Sequence, residues 1–170
     1  QLWLNCAQTF GTEVAGIASE DVSMMQTYYS AGTLVALFVT SALITKFKQV
    51  RFLVIYPVIS LVMLALVYMI KSPMICYVGA FVIGYAGAGG VLQMATAVAN
   101  DLFPKIKGTL TSLVMIASSL CNYTILTAAS NMSASGVIIM NIVITVIGIL
   151  LALFVNVRYG VLLKNADTSK

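Results

Sequence analysis

The chain has 170 residues, of which 61% are hydrophobic and only 8% charged, and its mean hydropathy is +1.02. An ordinary soluble domain carries roughly 25% charged residues, so this composition excludes a water-soluble fold. The net charge of +4 resides in cations at the ends of apolar runs, not interleaved with aromatics as on a nucleic-acid surface, so no nucleic-acid partner is expected.

Hydrocarbon tolerates only helices or closed barrels, because unpaired backbone groups cannot be solvated there, and these runs are too long for barrel strands. The sequence therefore predicts an all-α membrane protein. A transmembrane bundle covers residues 1–157, with helices at roughly 2–18, 24–45, 52–70, 74–99, 108–130 and 136–157, and a tail at 158–170.

The first segment mixes Trp3, Phe10 and Val14 with polar residues at 5, 8, 9, 12 and 13. That spacing is a helical stripe facing an internal cavity, or alternatively an interfacial helix or a truncated span. Gln8 and Glu13 are its cavity candidates. Glu13 is the one carboxylate expected within a span, where it would carry a proton or pair an ion; at the outer end of a short helix it would simply be wet.

The third and sixth segments are nearly all apolar, as for helices facing lipid, whereas the fourth and fifth are not. In the fourth, GAFVIGYAGAGGVLQMATAVAND over 79–101, small residues four apart (Ala80/Gly84/Ala88 and Ala86/Gly90) let helix backbones approach closely. Gln93, Thr96 and Asn100 share one face beyond them, forming either a polar wall along a substrate path or hydrogen bonds between helices. In the fifth, Asn122 beside Tyr123 could hold a polar ligand or serve packing. The neighbouring serines carry little information, since serine commonly bonds back to its own helix.

The basic residues alternate with the segments. Lys46, Lys48 and Arg51 follow the second, Lys105 and Lys107 the fourth, and Arg158, Lys164 and Lys170 the sixth, leaving Lys71 alone on the other side. Because cytoplasmic loops concentrate Lys and Arg, the 46–51 and 101–107 loops and the carboxyl terminus are expected in the cytoplasm of a multi-pass cell-membrane protein. Position 1 is Gln and no signal-peptide pattern follows, so the chain is expected to begin inside a longer protein.

Enzyme chemistry finds little footing. The sequence has no histidine, Cys6, Cys76 and Cys121 form no paired motif, and the GAGG at 87–90 lies within an apolar segment without a following Lys-Ser/Thr. Neither a metal nor a cofactor is expected.

The layout resembles the carboxyl-terminal six-helix half of a major facilitator superfamily transporter over nearly the whole chain. SALITKFKQVR at 41–51 stands where that family has Gly-x-x-x-Asp-Arg-x-Gly-Arg-Arg, with Ser41 for the Gly, Thr45 for the Asp, Lys46 for the Arg and Lys48 for the second Gly. LFPKIKGTLTSLVMIASSL at 102–120 is similar to the family's lead-in to the fifth helix of that half, and YYSAGTLVALFVTSALITKF around Gly32 to its second helix. Within the superfamily, AQTFGTEVAG and ITKFKQVRFL are most similar to fucose-permease-like sugar transporters.

The resemblance implies half of a twelve-helix secondary transporter, built as a 3+3 inverted repeat, moving a small polar solute by alternating access together with an amino-terminal six-helix half. It also implies that Lys46, Lys48 and Arg51, with Lys105 and Lys107, belong to a cytoplasmic gate as well as setting topology; with Thr45 in place of the Asp, this half lacks the usual gate carboxylate. The alternative is a multi-spanning protein that transports nothing and acts in assembly or interaction.

Overall fold

The computed structural model describes residues 2–44, 46–47 and 49–168. Thr45, Lys48 and Lys170, which figure in the sequence analysis, lie outside the described residues, as does the side chain of Asn5. Among the described residues every regular element is helical: α1 Leu2–Glu13, α2 Met24–Ile44, α3 Gln49–Ile70, α4 Pro73–Ile83, a π-helical segment Gly84–Val91, α5 Leu92–Leu102, a 3-10 turn Pro104–Ile106, α6 Lys107–Ala129 and α7 Ala134–Thr168. Because α4, the π segment and α5 form one rod, the described chain makes six rods in the order of the six apolar segments.

The boundaries have local causes. Helix α1 stops at Glu13, short of the expected residue 18, because the chain turns through Gly16, whose φ of +70 suits glycine. At 12 residues α1 is shorter than the roughly 20 needed to span a bilayer. Between α3 and α4 the reversal takes two residues. Lys71 adopts the left-handed region (φ 49) with its ammonium 5.7 Å from the Tyr68 ring, and extended Ser72 leads into Pro73, whose missing N–H costs nothing in a first turn. Ser133 caps α7, its hydroxyl accepting the Gly136 N–H at 3.2 Å. Helix α7 runs on to Thr168, past the Val157 expected as its end.

Within the fourth rod the expected single α-helix widens into the π segment. Four glycines, at 84, 87, 89 and 90, lie in this stretch, and residues without Cβ permit the wider turn. Here α2 crosses so closely that a Cβ on Gly84 would fall on the Tyr29 carbonyl, and one on Gly32 on the Phe81 carbonyl. The Thr33 hydroxyl straddles the crossing, 3.0 Å from the Tyr29 oxygen and 3.3 Å from the Gly84 oxygen.

Two apolar clusters fill the bundle. One joins Trp3 and Phe10 of α1 to Met25 and Tyr29 of α2, Leu64 and Val67 of α3, Cys76 and Ala80 of α4, and Ile138 of α7. The other joins Phe52, Leu53 and Tyr56 of α3 to Ala86, Met94 of α5 and Ala152 of α7, and beside it the buried Thr40 and Tyr56 hydroxyls lie 2.8 Å apart. The first half of α3 thus packs on α5 and its second half on α4, as an up-and-down bundle requires.

Three helices are long and apolar enough to cross a membrane by length and composition among the described residues: Val50–Ile70, Pro104–Ala129 and Ala134–Val161, with Pro73–Gly87 a shorter apolar helix. Polarity alone marks α3 as a helix facing lipid, and the packing adds a second, buried face. Helix α3 is the most buried of the three spans, at 39% against 6% for the α6 span. One face fills the core while Ile55, Ile59, Val62, Leu66 and Met69 form an exposed stripe, so it is apolar all round because both surroundings are apolar.

Candidate functional site

The polar candidates gather into two separate places. At the first, half-buried Gln8 of α1 donates from Nε2 to Gln26 Oε1 of α2 at 3.4 Å, over a narrow recess lined by Trp3, Ala7, Met25 and Tyr29. Glu13 sits one helical face on, exposed at the end of α1. Gln26 was missed; its place in the first turn of α2, facing the polar stripe of α1, is the signal that could have found it.

The second place is the α5–α6 hairpin. Asn100 Nδ2 donates to Thr111 Oγ1 at 3.2 Å, tying the end of α5 to the start of α6. From this tie both helices run back in parallel register. Gln93 precedes Asn100 by seven residues, two turns on the same face, about 10 Å along the axis; Ser118 follows Thr111 by the same interval, and Asn122 lies one turn further. Gln93 is exposed, while Thr96, Ser118 and Asn122 are half-buried. Asn100 therefore makes the bond between helices that the sequence left as one of two options. Gln93 and Asn122 make no hydrogen bond among the described residues. Tyr123, next to Asn122, is 74% exposed. Thr111 was missed because threonine in an apolar helix ordinarily bonds its own backbone.

The cations collect at one end. Because the start of α3 packs with α5 and with Ala152 of α7, the α2–α3 loop, the α5–α6 loop and the tail share that end of the bundle. Lys46, Arg51, Lys105 and Lys107 are all exposed there. No group of three or more His, Cys, Asp or Glu among the described residues is arranged to hold a metal.

Such a fold, all helical, with apolar spans, polar side chains in its hairpins and cations at one end, is that of a multi-pass membrane protein. Residues 3–168 match the family model of the Major Facilitator Superfamily, and the chain belongs to that superfamily of membrane transporters. It is 32% identical over 149 residues to the inner membrane transport protein YdiN of Escherichia coli K12, covering 85% of this chain and 35% of that protein. It is similar at 31% over 164 residues to the MFS-type transporter YfkL of Bacillus subtilis 168, covering 94% and 40%, and at 32% over 153 residues to the inner membrane transport protein YdiM of E. coli K12, covering 88% and 38%. The chain thus spans 35–40% of the length of these relatives. No solved structure matches it. Membership places the chain in a membrane setting.

Proposed function

We propose that the chain is the carboxyl-terminal six-helix bundle of a twelve-helix secondary transporter, which moves a small polar solute, a sugar or an organic anion, by alternating access with an amino-terminal half. The observation that carries this reading is the α5–α6 hairpin, where Gln93 and Asn122 keep unpartnered amides on the faces fixed by the Asn100–Thr111 bond. Amides in a membrane bundle are costly unless paired, and a solute with hydroxyl or carboxylate groups would pair them. Gln8 and Thr96 complete the wall in this reading, and Glu13 is the candidate ion partner. The names of the two E. coli relatives, both inner membrane transport proteins, support transport without naming a solute.

The test is a ligand screen on the complete protein in detergent, sugars first and organic anions second, followed by uptake into vesicles. A solute that raises the melting temperature and is also accumulated supports the assignment. A protein that neither is stabilised by, nor takes up, any small polar solute would count against it.

The cation cluster takes a different role in this scheme. In this reading Lys46, Lys48 and Arg51 belong to the cytoplasmic end of the bundle, as do Lys105 and Lys107, with the carboxyl terminus on the same side of the cell membrane. They set topology and pair with carboxylates or lipid phosphates in one conformation of the gate. Replacing Lys46, Lys48 and Arg51 together with Gln should lower insertion or turnover and leave outward-side substrate affinity unchanged. Weakened affinity with normal insertion and turnover would instead make them part of the binding site.

A further inference from the structure

Away from the polar hairpins, α3, the π segment and α7 line an open cavity of about 410 Å³, within the roughly 300–1,000 Å³ of pockets that hold small organic ligands. Its walls include Leu53, Pro57, Val91, Ile144 and Val155, and none of the proposed solute contacts lines it. Three irregularities of the chain meet here. Pro57 cannot donate to the Leu53 carbonyl, the π turn widens the opposite wall at Gly87, and Gly148 leaves α7 without a side chain at the rim.

One polar atom in the wall is out of place. Ser60 is only 6% exposed and lines the cavity, yet its hydroxyl has no hydrogen-bond partner among the described residues. Serines in apolar helices ordinarily bond back to a carbonyl one turn earlier, as Ser112 does to Gly108 at 3.1 Å and Ser119 to Met115 at 3.0 Å. The other hydroxyl in the lining, that of Thr145, donates to the Asn141 carbonyl at 2.7 Å. A Cβ on Gly87 would stand 3.7 Å from the Ser60 oxygen, so the absence of a side chain there leaves the hydroxyl open to the cavity.

The cavity opens towards lipid. Ile144, Gly148 and Leu151 on its rim are exposed, and the surface beyond them continues as Ile147, Leu150 and Phe154 of α7 and the Ile55–Met69 stripe of α3, all apolar. Ser60 lies near the middle of α3, about 15 Å from either end, which is the depth of the bilayer centre. A phospholipid chain has no polar atom at that depth, so it would leave the hydroxyl unpaired. We propose that this cavity binds a lipophilic molecule carrying a single hydrogen-bonding oxygen, such as a long-chain alcohol, which enters from the bilayer and is held by Ser60. The site is separate from the solute path and does not depend on what the solute is.

The test is photolabelling of the complete protein in phosphatidylcholine vesicles with an alkyne-tagged diazirine hexadecanol, beside the matched hexadecane probe. The alcohol should label α3 and α7 segments around Ser60 and Gly148 well above α6, whose span is the least buried of the three. Ser60→Ala should remove the advantage of the alcohol over the alkane, about 3- to 10-fold for one hydrogen bond. Gly148→Phe should abolish labelling by both probes without loss of folded protein, because a Cβ there meets no atom within 4 Å. Equal labelling by alcohol and alkane in the unaltered protein would show ordinary acyl chains filling the groove and overturn the proposal. Labelling no greater than on α6, or unchanged in either variant, would overturn it too.

Discussion

Gly84→Leu and Gly32→Leu are each expected to abolish recovery of folded protein, measured as the monodisperse fraction on size exclusion and the melting temperature in detergent. At both positions the new Cβ would land on backbone, the Tyr29 carbonyl in one case and the Phe81 carbonyl in the other, and backbone cannot swing aside as the end of a flexible side chain can. Overpacking that rearranges side chains alone typically costs about 1–3 kcal/mol, and here two rods must separate along their whole crossing. Separation would also break the span of the Thr33 hydroxyl between Tyr29 and Gly84 and open the cluster around Ala80 and Ile83. Against a total stability of about 5–15 kcal/mol this is a large loss. Gly148→Leu, in open space, is the control and should leave the melting temperature unchanged. Full recovery of Gly84→Leu would mean that α2 and the π segment are not in backbone contact in the membrane.

That crossing shows what the sequence makes legible. Small residues four apart at Ala80 and Gly84 announce close approach, and both are buried in the contact with α2. The spans were legible for a similar reason, since length and apolarity are local properties. The π turn was not, because the same glycines suit an α-helix, and only the partner crossing at Tyr29 decides where the rod widens. The position of α3 was hidden too: a core face and a lipid face have the same composition, so its central packing leaves no mark in polarity. At the hairpin, Asn100 was recognisable as a costly polar residue, but its partner Thr111 lies on another helix and resembles any backbone-bonded threonine. Ser60 was passed over on the same ground, and only the surrounding cavity sets it apart from Ser112 and Ser119.

Gln93→Leu and Asn122→Leu are expected to weaken uptake by about 5- to 150-fold each, the effect of leaving a desolvated solute group without its 1–3 kcal/mol hydrogen bond. Neither residue bonds another described residue, so neither change should lower the melting temperature of the unliganded protein. Asn100→Leu should behave differently. It removes the 3.2 Å bond to Thr111 that fixes α5 against α6, so it should lower stability and uptake together, and Thr111→Val should do the same. The contrast separates the two roles open to an amide in this bundle, holding helices together and holding a solute. Melting and uptake must be measured on each variant, because uptake alone would fall in all four. If Gln93 and Asn122 lie on the solute path, the double variant should lose roughly the product of the single effects, as for contacts made independently. Unchanged uptake in both single variants would remove the hairpin from the path and shift the search to Gln8 and Gln26, the other polar pair between helices.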